Sequence, residues 1–194
     1  MQTHTIHTYL FDELSDKYKK NAIEKNRDIN VEYIDWDGFM LEEWTDKLKK
    51  MGYDKAEILY SGFGSQGNGA CFTARVDIEK WLRTHMLEKK YKLLCDNCEG
   101  VTIDITHTQR YYYATSTNVE LNDYNGDMTD DEEWNKQAEE VTKLIEYERE
   151  QLGDKIYKDL YNLYFELLED DCIADTLRAN DYKFLEDGSR CYYV

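Results

Sequence analysis

The chain has 194 residues, of which 41 are acidic and 24 basic, so its formal net charge is −17 at pH 7. This length suits one domain, and an aromatic content of 14% argues against intrinsic disorder, because disordered segments lack such side chains. The acidic excess argues against direct binding of nucleic acid, since phosphates require clustered positive charge.

The sequence has no run of about 20 apolar residues that could cross a bilayer, and polar residues follow Met1 instead of an apolar signal core. We therefore expect no membrane contact and a cytoplasmic location. The five cysteines are odd in number and irregularly spaced, which favours reduced thiols over a disulfide framework.

The first quarter of the chain predicts a strand and two helices. Residues 3–10 alternate in a way typical of a strand. Ser15 is suited to cap a lysine-rich helix that continues to about Arg27, and apolar spacing predicts a second helix over 36–50 with Gly52 as its stop.

The middle of the chain predicts two β-hairpins. A glycine-rich loop joins the strands of the first hairpin, and a short helix over 78–88 separates the two hairpins. The four β-rich runs are residues 56–63, 70–77, 101–107 and 110–121.

The last third is mainly helical. Thr129–Glu132 resembles a capping box, and apolar residues at steps of three and four predict a long helix over 134–167, in which Gly153 marks a kink or a break. A short helix over 172–179 and a hairpin over 182–194 close the chain. The pattern predicts an α+β fold, with an antiparallel sheet built from hairpins, packed by helices, and a long acidic C-terminal helix or helical hairpin.

We expect residues 1–128 and 176–194 to form the sheet core, with 129–175 as an acidic helical arm of one compact unit. Residues 129–175 hold 16 acidic and 5 basic residues, which is most of the negative excess. Such a segment is either a solvated helix face or a surface that occupies a partner's phosphate-binding groove. The candidate partner-binding residues are Asp130, Asp131, Glu132, Glu133, Glu139, Glu140, Glu146, Glu150, Glu169, Asp170 and Asp171.

A second candidate site is the glycine-rich segment Gly62–Gly69. Its hydrogen-bonding side chains could hold a small ligand, and they belong to Ser61, Ser65, Gln66 and Asn68. The segment joins two strands and lacks the lysine of a phosphate-binding loop, so it matches no nucleotide fingerprint. A loop that needs positive φ angles explains the glycines equally well.

His107 stands at a predicted strand end near Arg110 and the tyrosines that follow. Such a cluster could act on phosphate, with the arginine binding charge and the histidine moving a proton, or it could pack across strands. Cys95 and Cys98 have half the spacing of a zinc site, and the segment 123–127 resembles a calcium loop without its glycine and glutamate. We predict no metal and no cofactor.

The segment Tyr60–Phe72 contains the pattern SGFxxQGxGAxF, which resembles a segment of small uncharacterised proteins of tailed bacteriophages and prophages. The resemblance extends over most of the chain, including Leu14–Lys25, Arg27–Asn30, Arg110–Tyr113 and Tyr182–Gly188. It implies a role in interaction with the host, and it carries over no catalytic residue.

The leading hypothesis is therefore a phage accessory protein without enzymatic activity, located in the host cytoplasm. It would present an acidic surface as a DNA mimic and inhibit a host protein with a basic surface, such as a nucleic-acid-handling defence factor. The alternative is a nucleotide-type ligand binder or phosphoesterase-like enzyme that uses the glycine loop with His107 and Arg110. A homodimer through the apolar stripe over 134–167 is a third hypothesis.

Overall fold

The structure is a computed structural model, and it describes residues 5–32, 35–123 and 131–192. These residues form helices and an antiparallel sheet, which confirms the predicted α+β fold class. A short 3-10 helix at Phe11–Glu13 comes first. The elements that follow are α1 (Asp16–Lys25), α2 (Gly38–Met51), β1 (Tyr53–Ser61), β2 (Gly69–Val76), α3 (Ile78–Thr84), α4 (Lys92–Asp96), β3 (Val101–His107), β4 (Thr117–Asp123), α5 (Glu132–Leu167) and α6 (Asp170–Ala179).

The four strands form one antiparallel sheet in the order β1-β2-β3-β4. β1 and β2 form the first predicted hairpin, with Ser61 opposite Gly69 beside the glycine-rich loop. β3 and β4 form the second hairpin, with His107 opposite Thr117. The prediction of a strand from residue 110 is wrong in its first half, because residues 108–116 form an irregular loop and β4 begins only at Thr117.

The predicted strand over 3–10 is reduced to one bridge, in which Tyr9 pairs with Phe184. Phe184 also pairs with Arg190, and this single bridge lies where the terminal hairpin was predicted. Residues 1–4 and 193–194 lie outside the described residues. Residues 124–127 of the segment that resembles a calcium loop lie outside them as well, and so does the capping residue Thr129.

The chain divides into two compact units. Phe39–Tyr161 form the sheet unit, while the residues up to Gly38 and those from Asn162 onward form the terminal unit. Most of α5 therefore belongs to the sheet unit, and only its last turns are part of the terminal unit.

The core of the sheet unit is built from the sheet, α2, α3, α4 and α5 together. Buried sheet residues such as Phe72 and Ile103 share one cluster with Trp81 of α3 and with Ile145 and Ile156 of α5. Helix α5 thus supplies a large part of this core. The terminal unit has its own cluster, formed mainly by Phe11, Ile23, Ile173, Leu177 and Phe184. No helix among the described residues is long and apolar enough to cross a membrane.

Helix α5 is unbroken from Glu132 to Leu167, so a break at Gly153 is excluded. The glycine serves close packing instead. A Cβ at this position would lie 3.0 Å from the carbonyl oxygen of Ala70 and 3.0 Å from the Cβ of Ala114. Gly153 therefore allows the helix to approach the sheet and the 108–116 loop closely.

Gly153→Ala tests this close approach. In an open helix the change would stabilise the protein by about 1 kcal/mol, because alanine favours the helix more than glycine does. Here we expect a loss of about 1–3 kcal/mol in the free energy of unfolding, since the added methyl group overpacks the contact. Urea unfolding measures the loss, and Lys136→Ala on the exposed side of α5 is the control. A Gly153→Ala protein as stable as the wild type would contradict the packing role.

Cys71 in β2 makes the free energy of unfolding depend on pH in the alkaline range. Its side chain is buried, and burial raises the pKa of the thiol to about 11. The unfolded thiol ionises near its ordinary pKa of 9.0, so the native state loses stability as the pH rises from 9 to 11. We expect Cys71→Ala to reduce the fall in unfolding free energy over this range by about 2 kcal/mol, measured by urea unfolding at each pH. Cys191→Ala, at a half-buried position, is the matched control, and an equal pH dependence in wild type and Cys71→Ala would refute the assignment.

Candidate functional site

Helix α5 has an inward and an outward side along its length. The buried residues recur at steps of three and four and so lie on one side of the helix. The exposed carboxylates lie on the opposite side, which we call the acidic face and define by Glu132, Glu133, Glu139, Glu146 and Asp154. The amphipathic pattern predicted from the sequence is thus what orients these charges toward solvent.

The helix that carries the acidic face also contains basic residues, but acidic residues outnumber them. From Asp131 to Tyr161 the chain has 10 acidic and 5 basic residues. Lys143 donates to Glu139 at 2.6 Å, and this hydrogen bond lowers the pKa of the glutamate and raises that of the lysine. Part of the negative charge is therefore already neutralised on the helix itself.

The predicted partner-binding residues are divided between the two units. Asp131, Glu132, Glu133, Glu139, Glu140, Glu146 and Glu150 belong to the sheet unit, and Glu169, Asp170 and Asp171 belong to the terminal unit. Asp130 lies outside the described residues. Asp170 pairs with Arg27 at 2.5 Å, so that carboxylate contributes little free negative charge.

Asp131 caps the N-terminus of α5. Its Oδ1 accepts hydrogen bonds from the backbone N–H groups of Glu133 at 2.9 Å and Trp134 at 3.2 Å. A side-chain oxygen that satisfies these N–H groups stabilises the first turn of the helix. The predicted helix start is therefore close to the observed one, with Asp131 as the capping side chain.

Glu148 is an inward-turned carboxylate that the sequence did not identify. It accepts hydrogen bonds from the Tyr53 hydroxyl at 2.6 Å and from Trp81 Nε1 at 2.8 Å. Nε2 of His85 lies 2.7 Å from its other oxygen. Burial and the nearby carboxylate raise the pKa of Tyr53 above its usual range. These contacts tie α5 to β1 and α3, and an adjacent cavity of 360 Å³ is lined mainly by apolar side chains.

Arg149 is the second functional side chain that the sequence did not identify. It is only 3% exposed, although it belongs to the acidic helix. Its Nη1 donates to the carbonyl oxygens of Ala114 at 2.7 Å and Thr117 at 3.1 Å, and to Thr117 Oγ1 at 2.9 Å. Its Nη2 donates to Glu150 at 3.2 Å. The guanidinium thus fixes the end of the 108–116 loop where β4 begins.

A signal for Arg149 was present in the sequence. The apolar residues of α5 recur at steps of three and four except for one seven-residue gap between Ile145 and Leu152. Arg149 occupies the position that divides this gap into steps of four and three. A charged residue on the buried side of a helix needs polar partners nearby, because an unpaired buried charge is costly.

Side chains of the glycine-rich loop form hydrogen bonds within the loop itself. Ser61 donates to the carbonyl oxygen of Gly67 at 3.3 Å, and the Ser65 hydroxyl donates to Asn68 Oδ1 at 2.9 Å. Gln66 is exposed. Gly64 and Gly67 have φ angles of 120° and 105°, which agrees with the interpretation that the loop needs positive φ.

His107 is the last residue of β3, and Arg110 lies in the 108–116 loop that follows it. His107 Nε2 is 3.2 Å from the carbonyl oxygen of Tyr111, and its ring packs against Tyr112 with centroids 5.1 Å apart. Arg110 is exposed, with its guanidinium 5.8 Å from the Tyr111 ring centroid. Tyr111 in turn approaches Gly67, so the two predicted ligand segments adjoin. His107 therefore makes local packing contacts. Neither His107 nor Arg110 lines any of the cavities described here.

A cavity of 430 Å³, which we call the loop pocket, lies where both loops meet α5. It joins one member of each predicted site, Asn68 from the glycine loop and Glu150 from the acidic helix. Its lining residues are Asn68, Gly69, Ala70, Tyr113, Ala114, Thr115, Glu150, Gln151, Asp154 and Tyr157. Two carboxylates in this lining would repel a phosphate, so the pocket does not suit the nucleotide-type ligands considered from the sequence.

Cys95 and Cys98 line another cavity with several carboxylates. Burial raises the pKa of both thiols, and Cys98 donates to the carbonyl oxygen of Cys95. All five cysteines are free, as predicted. Within residues 5–32, 35–123 and 131–192, no three histidine, cysteine or acidic side chains converge to hold a metal ion.

Residues 36–170 match the family model described as "Domain of unknown function (DUF8835)". The match includes the whole sheet, both candidate loops and all of α5. No curated protein and no solved structure matches the chain.

Arg149→Met tests the structural role of the buried guanidinium. The change leaves the carbonyl oxygens of Ala114 and Thr117 without their donor, so we expect a loss of about 3 kcal/mol in the free energy of unfolding. Urea unfolding measures this loss. The matched control is Arg83→Met, which removes a solvent-exposed pair with Glu79 and should therefore cost much less stability. Equal losses in the two variants would show that the burial of Arg149 has no special energetic role.

Proposed function

The chain belongs to the DUF8835 family, and from that premise we propose that it is a binding protein whose acidic face docks on a basic surface of a protein partner. The observation that carries this proposal is the exposure of Glu132, Glu133, Glu139, Glu146 and Asp154 on one side of α5. A net charge of −17 adds long-range attraction toward a basic partner.

The partner we propose is a host protein that handles nucleic acid, and the chain would act as its phage-encoded inhibitor. The segment Ser61–Phe72, with its resemblance to phage and prophage proteins, supports a phage origin. Exposed carboxylates along a straight helix can occupy positions that phosphates take on a nucleic-acid-binding surface. This mode needs no catalytic residue, since inhibition follows from occupying the groove.

The acidic face is suited to fast association more than to tight binding by itself. Charges exposed at a surface steer the encounter, and salt screens them within about 8 Å at physiological ionic strength. Each exposed ion pair contributes about 1 kcal/mol or less. Additional contacts must therefore supply most of the affinity.

A capture experiment from bacterial host lysate tests the proposal with two variants of equal charge. The test variant is Glu132→Gln, Glu133→Gln and Glu146→Gln on the acidic face. The control variant is Glu42→Gln, Asp46→Asn and Glu57→Gln, which removes the same charge from exposed positions of α2 and β1. We expect the wild type and the control to retain a basic protein at low salt, and the test variant to retain about tenfold less.

Quantitative mass spectrometry of the retained proteins provides the readout. Retention should fall as salt is raised from about 0.05 to 0.5 M, because the Debye length shortens over this range. Equal loss in both variants would show that only net charge matters. Retention that does not respond to salt or to the test variant would overturn the proposed function.

A further inference from the structure

The loop pocket has features that the acidic face alone lacks. It is a half-open cavity of 430 Å³ within the sheet unit, lined by residues of two loops, β2 and α5. Its volume is in the range of small-ligand sites, which begin at about 300 Å³. A side chain of a partner could therefore enter it and be surrounded on several sides.

Two carboxylates of α5 contribute to the same wall of this pocket. Glu150 and Asp154 are four residues apart on the helix, so their side chains are neighbours on one side of it. Glu150 is half-buried, and one of its oxygens accepts from Arg149. Asp154 is exposed and has no ion pair or hydrogen bond to another described residue. None of the described lining residues is basic, so the pocket has an unneutralised carboxylate of its own.

Two tyrosine rings also line the pocket. Tyr113 comes from the 108–116 loop and Tyr157 from α5, one turn beyond Asp154. Tyr157 is held by aromatic neighbours, with its ring centroid 5.7 Å from that of Phe63 and 6.3 Å from that of Tyr161. Aromatic faces attract cations, and they stack best with a planar one.

The backbone that shapes the pocket is fixed by close contacts. Arg149 holds the carbonyl oxygens of Ala114 and Thr117, and Ser116 accepts from the Tyr113 N–H at 2.9 Å. At Gly69, a Cβ would lie 2.7 Å from the carbonyl oxygen of Tyr112, so only glycine fits there. The backbone that carries this part of the pocket lining is therefore preorganised, which lowers the entropic cost of binding.

We propose that the loop pocket binds the guanidinium group of an arginine side chain presented by the protein partner. Carboxylates and aromatic rings together suit this group, because a guanidinium is planar, permanently charged and able to donate two parallel hydrogen bonds to a carboxylate. An ammonium group has no plane to stack, and a metal ion would need more converging oxygen ligands than the pocket supplies. The inference rests on the proposed function for the nature of the partner, and the pocket itself can be tested without the partner.

The probe is N-acetyl-arginine amide, titrated into the full chain and followed by two-dimensional NMR of the backbone amides. The matched probe is N-acetyl-citrulline amide, which has nearly the same shape and no charge. We expect saturable shifts of the amides of Gly69, Thr115 and Asp154 with a Kd of about 1 mM for the arginine probe. We expect no saturable shift with the citrulline probe.

Two variants locate the binding. Asp154→Asn removes the unpaired carboxylate at an exposed position, so the fold should persist while the Kd rises about fivefold. Glu42→Gln makes the same charge change at an exposed position of α2, outside both the pocket lining and the acidic face, and its Kd should match that of the wild type. Tyr113→Leu removes a ring and should also weaken binding, since it leaves both carboxylates in place.

Several outcomes would overturn the inference. These are equal binding of the citrulline probe, equal binding of N-acetyl-lysine amide, equal weakening by Asp154→Asn and Glu42→Gln, or no saturable shift of the pocket amides. Failure here leaves the proposed function standing if salt-dependent capture still depends on the acidic face. Conversely, arginine binding in the pocket together with capture that is indifferent to the acidic-face variant would retain the pocket and remove the proposed function.

Discussion

The close apposition of α5 to the sheet and to the 108–116 loop is the constraint on which the candidate site depends. Gly153 lets the helix backbone approach Ala70 and Ala114, and Arg149 crosses the same contact to bind Ala114 and Thr117. Gly153 has no side chain that would collide with the sheet, and Arg149 donates hydrogen bonds to buried carbonyl groups. A typical helix residue such as alanine or leucine could not replace either of them. This contact places Glu150, Asp154 and Tyr157 beside the glycine-rich loop, and it leaves the carboxylates of the acidic face exposed to solvent.

The fold class and most elements followed from the sequence because they rest on local periodicity. Strict alternation over 101–107 gave strand β3 with its observed ends, and the steps of three and four predicted the long helix α5. Tertiary contacts explain the differences. Gly153 was taken for a break because the packing against Ala70 is not visible in a local pattern, and β4 begins late because the loop before it is held by Arg149.

The candidate site was predictable in its parts but not in its assembly. The sequence identified Asn68 and Glu150 in separate contexts, and the fold brings both to one cavity. It did not identify Glu148 or Arg149, which are charged residues within an acidic helix and differ from their neighbours only by facing inward. The seven-residue gap in the apolar pattern was the one local sign that a polar residue is buried there. The acidic surface also proved to be divided between two units, which the charge count alone could not show.

The central claim is that charge on one face of α5 brings this protein to a basic partner. Its most direct test is the association rate constant for the purified partner, measured by stopped-flow as a function of ionic strength. We expect an association rate constant that falls by about tenfold or more between low and physiological salt, with little change in the dissociation rate constant. An association rate that is independent of salt would contradict the claim.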